Sequence, residues 1–167
     1  MKSIRLAGVS KESIVDGPGL RFTVFCQGCP HHCEGCHNPG THDFKGGYDC
    51  NIEKILNEID KNPLLRGVTF SGGEPMCQPE AFLELAEEVK KRNLDIVIFS
   101  GYTFEEIQGM AGENPYVKKL MSLSDYLVDG RFVKSVKDLT LRFRGSKNQR
   151  FIDLKKSREQ GKIVLAN

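Results

Sequence analysis

Short apolar stretches alternate with amphipathic ones along the chain, in the pattern of repeated βα units. Strands are predicted where β-branched and aromatic residues cluster over a few positions. The candidate strands are Leu20–Phe25, Gly67–Phe70, Leu94–Phe99, Tyr126–Val128 and Leu139–Phe143. Because helical patterns separate most of these strands, the sequence predicts a parallel sheet whose crossovers are helices.

Helices are predicted between the strands from three local signals. In two of them, apolar residues recur at helical spacing: Ile52, Ile55, Leu56 and Ile59 in the first, and Phe82, Leu85, Ala86 and Val89 in the second, after Pro79. The third helix is predicted to open at Thr103 and Glu106, which have the spacing of a capping box. The polar run 155–162 is expected to lie at the periphery.

These elements define an α/β fold with about five or six strands and three or four helices. A closed eightfold barrel usually needs about 250 residues, and the chain has 167. We therefore expect an open partial (βα) barrel that forms a single domain over residues 1–167, with its core at about 10–150. In such folds the site lies in the loops after the strands, here those following Phe25, Phe70 and Phe99.

Composition is ordinary for a globular protein, with 39% hydrophobic and 28% charged residues. No apolar run is long enough for a membrane span, and the N-terminus lacks the pattern of a secretory signal. These features predict a cytoplasmic protein in a reducing compartment. The six cysteines are therefore expected to be metal ligands or free thiols rather than disulfides.

The net charge of +2 conceals an asymmetry between two parts of the chain. The basic C-terminal segment, residues 131–167, carries eleven Lys and Arg against three Asp and Glu, whereas residues 1–130 carry thirteen against nineteen. A basic segment suits an anionic cofactor group, an acidic protein surface or nucleic acid, and it also occurs as a solvated face. Charge alone does not choose among them.

Four cysteines fall within eleven residues after the first predicted strand: Cys26, Cys29, Cys33 and Cys36. Paired zinc ligands are normally separated by a dozen or more residues, and here only three intervene. A compact thiolate loop favours an iron–sulfur cluster, whose irons need soft anionic donors. The C-x3-C-x2-C subset from Cys29 supplies three ligands, which leaves one iron of a [4Fe–4S] cluster open for chemistry.

The other three cysteines are interpreted as thiols without a ligand role. Cys26 ends a strand and is expected to be a small buried residue, while Cys50 and Cys77 are isolated in the sequence. An alternative remains for Cys26. An iron–sulfur electron carrier would use it as a fourth cluster ligand.

The cysteine loop resembles that of the radical S-adenosylmethionine superfamily, and Gly72-Gly73-Glu74-Pro75, directly after a predicted strand, resembles its GGEP motif. The resemblance implies a barrel of that type, with one [4Fe–4S] cluster held by Cys29, Cys33 and Cys36 and S-adenosylmethionine chelating the open iron. It implies that the cofactor is contacted by Gly35, Cys36, His37, Gly72, Gly73 and Glu74. His37 would lie beside the adenine, and Glu74 would support the methionyl ammonium electrostatically or structurally.

Two further motifs resemble the activases of glycyl-radical enzymes: Asp16-Gly17-Pro18-Gly19-Leu20-Arg21 and Cys36-His37-Asn38-Pro39. Within that group, the short chain and the segment 144–150 are similar to the activating proteins of anaerobic ribonucleoside-triphosphate reductases. The resemblance covers about residues 10–150. No ferredoxin-like insert separates Cys36 from Gly72, which distinguishes the chain from larger activases with auxiliary clusters.

The resemblance implies an enzyme that cleaves S-adenosylmethionine reductively. The resulting 5′-deoxyadenosyl radical would take hydrogen from a glycine of the anaerobic reductase, the partner subunit that stores a glycyl radical. A low-potential donor such as flavodoxin or ferredoxin would supply the electron, and no direct contact with nucleic acid or membrane is expected. The alternatives are a pyruvate formate-lyase-type activase, a deazaguanine-forming synthase and an electron carrier. Chain length argues against the first two. The segment Gly72-Gly73-Glu74-Pro75, which we call the Gly-Gly turn, argues against the third, because an electron carrier would not explain it.

The basic segment receives two interpretations. Arg144 is expected to contact the cofactor carboxylate, because Arg recognises carboxylates in a bidentate manner and this segment follows a late strand. Lys147 and Arg150 are expected to dock the partner.

Overall fold

The computed structural model of this chain describes residues 1–166, which form a seven-stranded sheet and five α-helices. The strands are β1 (Ser3–Ser13), β2 (Arg21–Cys26), β3 (Tyr48–Asn51), β4 (Gly67–Gly72), β5 (Asp95–Phe99), β6 (Tyr126–Asp129) and β7 (Arg150–Asp153). The helices are α1 (Ile52–Asp60), α2 (Pro79–Lys91), α3 (Phe104–Glu113), α4 (Pro115–Leu123) and α5 (Leu154–Gln160).

The strand order is β3-β1-β2-β4-β5-β6-β7. Strands β2, β4, β5 and β6 are parallel neighbours, whereas β1 pairs antiparallel with β2 and β3, and β7 pairs antiparallel with β6. The parallel strands are added in one direction, so right-handed crossovers place the connecting helices on one face. Within the described residues β3 and β7 do not pair with each other. The expected α/β class with an open sheet is confirmed.

The two faces of the sheet carry different residues, because side chains alternate along each strand. Toward the helices lies the core, which includes Phe22, Val24, Val68, Phe70, Ile96, Ile98 and Leu127. The opposite face carries Thr23, Phe25, Thr69, Ser71, Val97, Phe99 and Val128. The loops at the carboxyl ends of the parallel strands meet above this second face, where the site is found.

Four predicted strands and three predicted helices are present, but Leu139–Phe143 is not a strand. Its apolar residues alternate as in a strand, yet the segment consists of turns and bends. Phe143 has a φ of 61°, in the left-handed region that bulky residues rarely adopt and that no strand accommodates. The segment is part of the long connection between β6 and β7.

Strands β1, β3 and β7 lie outside the predicted set and raise the strand number to seven. Each pairs antiparallel with its neighbour in the sheet. The polar run 155–162 falls largely in α5, which ends at Gly161 in the left-handed conformation. No helix in the part of the chain described here is long and apolar enough to span a bilayer.

Candidate active site

The cysteine loop, residues 27–47, begins where β2 ends and closes where β3 begins. Its base is fixed by backbone hydrogen bonds, since the amide of Gly28 donates to the Thr41 carbonyl at 2.7 Å and that of Cys29 to the His42 carbonyl at 3.1 Å. Farther along, Cys33 and Cys36 join Cys29 in lining a cavity of about 150 Å³. The structure therefore brings the three cysteines that were expected as ligands to one cavity.

Three thiols that line one cavity are the soft donors that an iron–sulfur cluster needs. Among residues 1–166, no three His, Cys, Asp or Glu side chains are placed to hold one metal ion. A cubane binds each thiolate through a different iron, so its ligands need not converge on one point. Burial raises the pKa of the Cys29 thiol, and a bound iron would displace that proton. The donor set therefore fits a [4Fe–4S] group.

The remaining cysteines lie away from the cavity lining. Cys26 is fully buried in the core on the helical face of the sheet, and burial raises the pKa of its thiol well above the usual value. Cys50 is on β3, and Cys77 ends a short 3-10 helix after the Gly-Gly turn. The placement of Cys26 agrees with its interpretation as a buried thiol.

The Gly-Gly turn packs backbone to backbone against the start of the cysteine loop. The amide of Gly73 donates to the Cys26 carbonyl and that of Glu74 to the Gly28 carbonyl, both at 2.8 Å. A Cβ at Gly72 would overlap the backbone of Cys26, and one at Gly73 would overlap the Gly28 carbonyl. The close approach of two loops thus requires both glycines, and both line the cavity.

Glu74 lies beneath this turn with its side chain fully buried. Its carboxylate accepts hydrogen bonds from the Ser100 hydroxyl at 2.8 and 2.9 Å, the Gly101 amide at 2.8 Å and the Met76 amide at 3.0 Å. The His31 ring contacts it at 2.7 Å. Glu74 is not among the residues that line the cavity. Its carboxylate connects three loops, and this position favours the structural form of its expected role.

His37 and Gly35 occupy the outer part of the cysteine loop. The His37 ring lines the cavity and lies 5.3 Å from the ring of Phe132, measured between centroids. Gly35 has a φ of 75° and lies near the Phe132 side chain, outside the cavity lining. Phe132 was not predicted, although it follows β6, whose carboxyl end is another place where such sites form.

A second cavity of about 760 Å³ adjoins the first. Both are lined by His37, Asn38, Ser71, Phe99, Val128, Phe132 and Gln149. At its outer rim, Ile14, Val15 and Leu139 are 74%, 71% and 78% exposed. We call these three residues the apolar mouth. Arg142 and Arg144 also line this cavity, so Arg144 is positioned on the side of the site where a contact was expected.

The turn containing Asp16 is held to the sheet by polar groups. The Asp16 carboxylate accepts hydrogen bonds from Ser13 at 2.5 Å and Thr23 at 3.1 Å. Beneath it, the fully buried Arg21 pairs with Asp95 at 2.5 Å and donates to the Pro18 carbonyl at 2.8 Å. Because Asp16 lines the larger cavity, this network fixes one wall of the site.

Arg150 forms ion pairs with two carboxylates of the protein. Its guanidinium pairs with the buried Asp129, at 2.5 Å, and with Glu105, at 2.8 Å. These two carboxylates raise the pKa of Arg150. These pairs fasten β7 to β6 and α3, and the docking role expected for Arg150 stays a prediction.

Comparison with known proteins agrees with this geometry. Residues 15–152 match the family model described as a 4Fe-4S single cluster domain. The anaerobic ribonucleoside-triphosphate reductase-activating protein of Vibrio cholerae is 36% identical over 144 residues, which cover 81% of this chain and 89% of the relative. The protein of the same name from Escherichia coli is 33% identical over 144 residues, 81% of this chain and 90% of its own. The chain belongs to this family.

This chain also resembles an activating enzyme of a different name. It is 37% identical over 112 residues to the pyruvate formate-lyase-activating enzyme of Clostridium pasteurianum, covering 62% of this chain and 47% of that enzyme. A solved structure of QueE from Escherichia coli covers 60% of this chain and 54% of its own, with a TM-score of 0.47 and 19% identity. This member of the family is an iron–sulfur activating enzyme of the radical S-adenosylmethionine type.

Proposed function

We propose that this enzyme generates the glycyl radical of an anaerobic ribonucleoside-triphosphate reductase. When bound, a [4Fe–4S] cluster and S-adenosylmethionine supply the chemistry, because one electron from the reduced cluster breaks the S–C5′ bond and yields a 5′-deoxyadenosyl radical. The observation that carries the proposal is the junction of two cavities. One is lined by three cysteines and the Gly-Gly turn, and the other opens to solvent through the apolar mouth.

In this proposal Cys29, Cys33 and Cys36 hold the cluster, each as a thiolate. Cys29 is buried, while Cys33 and Cys36 are partly exposed. Three protein ligands would leave one iron for the cofactor, and the cavity that these cysteines line is also lined by Gly72 and Gly73. No side chain needs to act as an acid or a base.

The cofactor is held by walls of the smaller cavity, some of which it shares with the larger one. The amides of Gly73 and Glu74 already donate within the protein, so the turn from Gly72 offers carbonyl oxygens, which suit a methionyl ammonium. The rings of His37 and Phe132 form an aromatic wall for the adenine. Cys36 lines the smaller cavity, and Gly35, next to it in the chain, lies near the Phe132 side chain.

A polypeptide substrate enters through the apolar mouth. Ile14 and Val15 precede β2 on one side, and Leu139 belongs to the long connection after β6 on the other. Exposed apolar residues that rim a cavity are typical of a protein-binding site. A glycine passes between them most easily because it has no side chain, and its Cα–H bond can reach the interior. The partner named for the relatives fits this requirement.

Two features complete the proposal. The electron comes from a low-potential donor such as flavodoxin or ferredoxin, and the reaction takes place in the cytoplasm. Lys147, in the basic segment, is assigned to docking of the reductase. No direct contact with nucleic acid is proposed.

The test uses the anaerobically reconstituted enzyme, reduced with dithionite and supplied with S-adenosylmethionine. We expect equal amounts of 5′-deoxyadenosine and methionine, and a glycyl-radical signal in electron paramagnetic resonance when the reductase is added. Absence of cofactor cleavage would contradict the activity. Since a formate-lyase activase is also a relative, pyruvate formate-lyase serves as the alternative substrate, and a radical formed on it alone would contradict the proposed partner.

A further inference from the structure

We infer that His31 is a positioning residue that couples the cysteine loop to the cofactor-binding turn through the Glu74 carboxylate. The inference rests on the proposed function, because it concerns how the cluster ligands are aligned with the cofactor site. In the sequence His31 is one of several histidines in a polar loop. Its contacts in the structure set it apart.

The His31 side chain is enclosed. It is 5% exposed, and its Nε2 lies 2.7 Å from Oε1 of Glu74, whose side chain is 0% exposed. The ring stands edge-on to Tyr102 with 4.6 Å between centroids, and a Cβ at Gly101 would overlap it. The imidazole therefore has a fixed place between Glu74 and the loop that follows β5.

The other histidines of this loop have different surroundings. His32 is exposed and its ring packs against His42, and His37 lines the cavity beside Phe132. Among residues 1–166, His31 is the one histidine whose ring makes a hydrogen bond to a carboxylate. The contact is thus specific to the residue between the first two cluster ligands.

The Glu74 carboxylate transmits the position of His31 to the other two loops. Oε1 accepts from His31, from the Ser100 hydroxyl and from the Gly101 amide, while Oε2 accepts from the Met76 amide. A buried carboxylate that loses a donor is left unsatisfied, and its surroundings must rearrange. Movement of the cysteine loop at His31 is consequently linked to the Gly-Gly turn and to Ser100.

This linkage has a chemical purpose. Cys29 and Cys33 flank His31 closely in sequence, so anchoring His31 fixes them relative to Gly73. Electron transfer into the cofactor requires the open iron and the methionyl group to meet in one geometry, and small displacements of bound groups are costly for reactivity. His31 acts on this alignment through Glu74, and its ring also borders the smaller cavity.

The experiment compares three variants of the cluster-loaded enzyme. His31→Phe keeps a ring against Tyr102 but removes the hydrogen bond to Glu74, and His31→Gln restores an N–H donor at a similar reach. His32→Asn is the matched control, because Asn tolerates the left-handed φ of 48° at that position. The measurements are iron content, hydrogen exchange of residues 72–76 and 100–102 without cofactor, and S-adenosylmethionine affinity with the cluster oxidised.

For His31→Phe we expect normal iron content, faster exchange in both segments and cofactor affinity lowered roughly tenfold or more, the size expected when a charged buried hydrogen bond is lost. His31→Gln should recover most of the affinity, and His32→Asn should match the wild type. Wild-type exchange and affinity in His31→Phe would overturn the inference. So would loss of the cluster in both His31 variants, which would place His31 at the iron.

The two proposals fail in different ways. If the wild-type enzyme binds no S-adenosylmethionine, the proposed function fails, whereas hydrogen exchange at residues 100–102 still decides whether His31 and Glu74 are coupled. If the wild type binds and cleaves the cofactor while the His31 variants are indistinguishable from it, only the coupling is wrong.

Discussion

Gly73 is constrained by space rather than by its backbone angles. Its φ is not positive, so residues with a side chain can adopt the same backbone conformation. A Cβ there would nevertheless lie 2.8 Å from the Gly28 carbonyl carbon and 3.0 Å from the Thr41 oxygen. A substitution at Gly73 therefore tests how closely the cysteine loop and the Gly-Gly turn must pack.

We expect Gly73→Ala to lower the free energy of unfolding by about 1–3 kcal/mol, because an added methyl group overpacks a backbone junction. Iron retention should fall with it, since the same junction supports Cys29. Chemical denaturation and iron analysis measure the two effects. Gly109→Ala, on an open face of α3, is the control and should stabilise by up to about 1 kcal/mol. Equal stability of Gly73→Ala and the wild type would show that the junction is loose.

Alanine variants of the cysteines separate ligands from structural thiols. Replacing Cys29, Cys33 or Cys36 should abolish stable cluster binding or cofactor cleavage, because each removes one of three ligands. Cys26→Ala should keep the cluster and cost about 1 kcal/mol, since its side chain fills the core. Cys50→Ala and Cys77→Ala should keep both cluster and activity. Iron content and cofactor cleavage measure these effects, and full activity in Cys29→Ala with none in Cys26→Ala would reverse the assignment.

At the scale of elements, α3 begins with a capping box that the sequence predicted. The Thr103 side chain accepts from the Glu106 amide, and the Glu106 carboxylate accepts from the Thr103 amide. Glu106 also holds Arg131 through two contacts of 2.9 and 3.1 Å. Hydrogen bonding to Arg131 is the main reason that the pKa of Glu106 falls to about 2.

Glu106→Gln tests this ion pair, because Gln preserves the capping box but loses the charge. A carboxyl with a depressed pKa stabilises the fold above its unfolded pKa of about 4.5, and this contribution is lost as the pH falls through about 2. Unfolding experiments should show a loss below about 1 kcal/mol at pH 7, since the pair is exposed. The difference in free energy of unfolding between Glu106→Gln and the wild type should become smaller as the pH falls from 4.5 to 2.

The control for this prediction is Glu113→Gln in the last turn of the same helix. An acidic residue there opposes the helix dipole, so its removal should not destabilise the protein. A difference between Glu106→Gln and wild type that stays constant with pH would contradict the assigned ion pair.

Strands and helices with a recognisable pattern of apolar residues were predicted from the sequence. Strands that form mainly by pairing with a neighbouring strand were not. Strands β2, β4 and β5 are buried over most of their length, and the residues that face the core are apolar at alternating positions. Strand β1 carries many polar residues and forms by pairing with β2 and β3. The opposite error was made at Leu139–Phe143. This segment has the alternating apolar residues of a strand, but it does not pair with another strand in the sheet.

At the scale of the molecule, the proposed function makes the apolar mouth the contact surface for the partner. Leu139→Ser should leave cofactor cleavage without reductase unchanged and weaken activation of the reductase roughly tenfold, the effect of losing one buried leucine from an interface. Leu64→Ser is a matched control, because Leu64 is 77% exposed and lies outside the cavity lining. Glycyl-radical yield against reductase concentration is the measurement. Equal losses in both variants would remove the mouth from the interface.

The site itself was predictable in part. Cys29, Cys33, Cys36 and the two glycines follow local motifs, and local spacing is enough to find them. The contacts of three other residues form only when loops from different strands come together: His31, Phe132 and Ser100. The spacing of residues within one segment does not predict such contacts. The same limit explains why the motif drew attention to Glu74 while the groups that bind its carboxylate were not foreseen.

Strand β1 pairs with β2 on one side and β3 on the other, and so pins both ends of segment 27–47. The two ends of the segment are therefore held together before the cluster binds. Joining the ends of a loop of this length costs about 3 kcal/mol of conformational entropy, and strand pairing offsets that cost. Assembly of the cluster then needs to order only the interior of the loop. Loosening the edge strand β3, at Tyr48 for instance, would accordingly weaken iron retention with all three thiols intact.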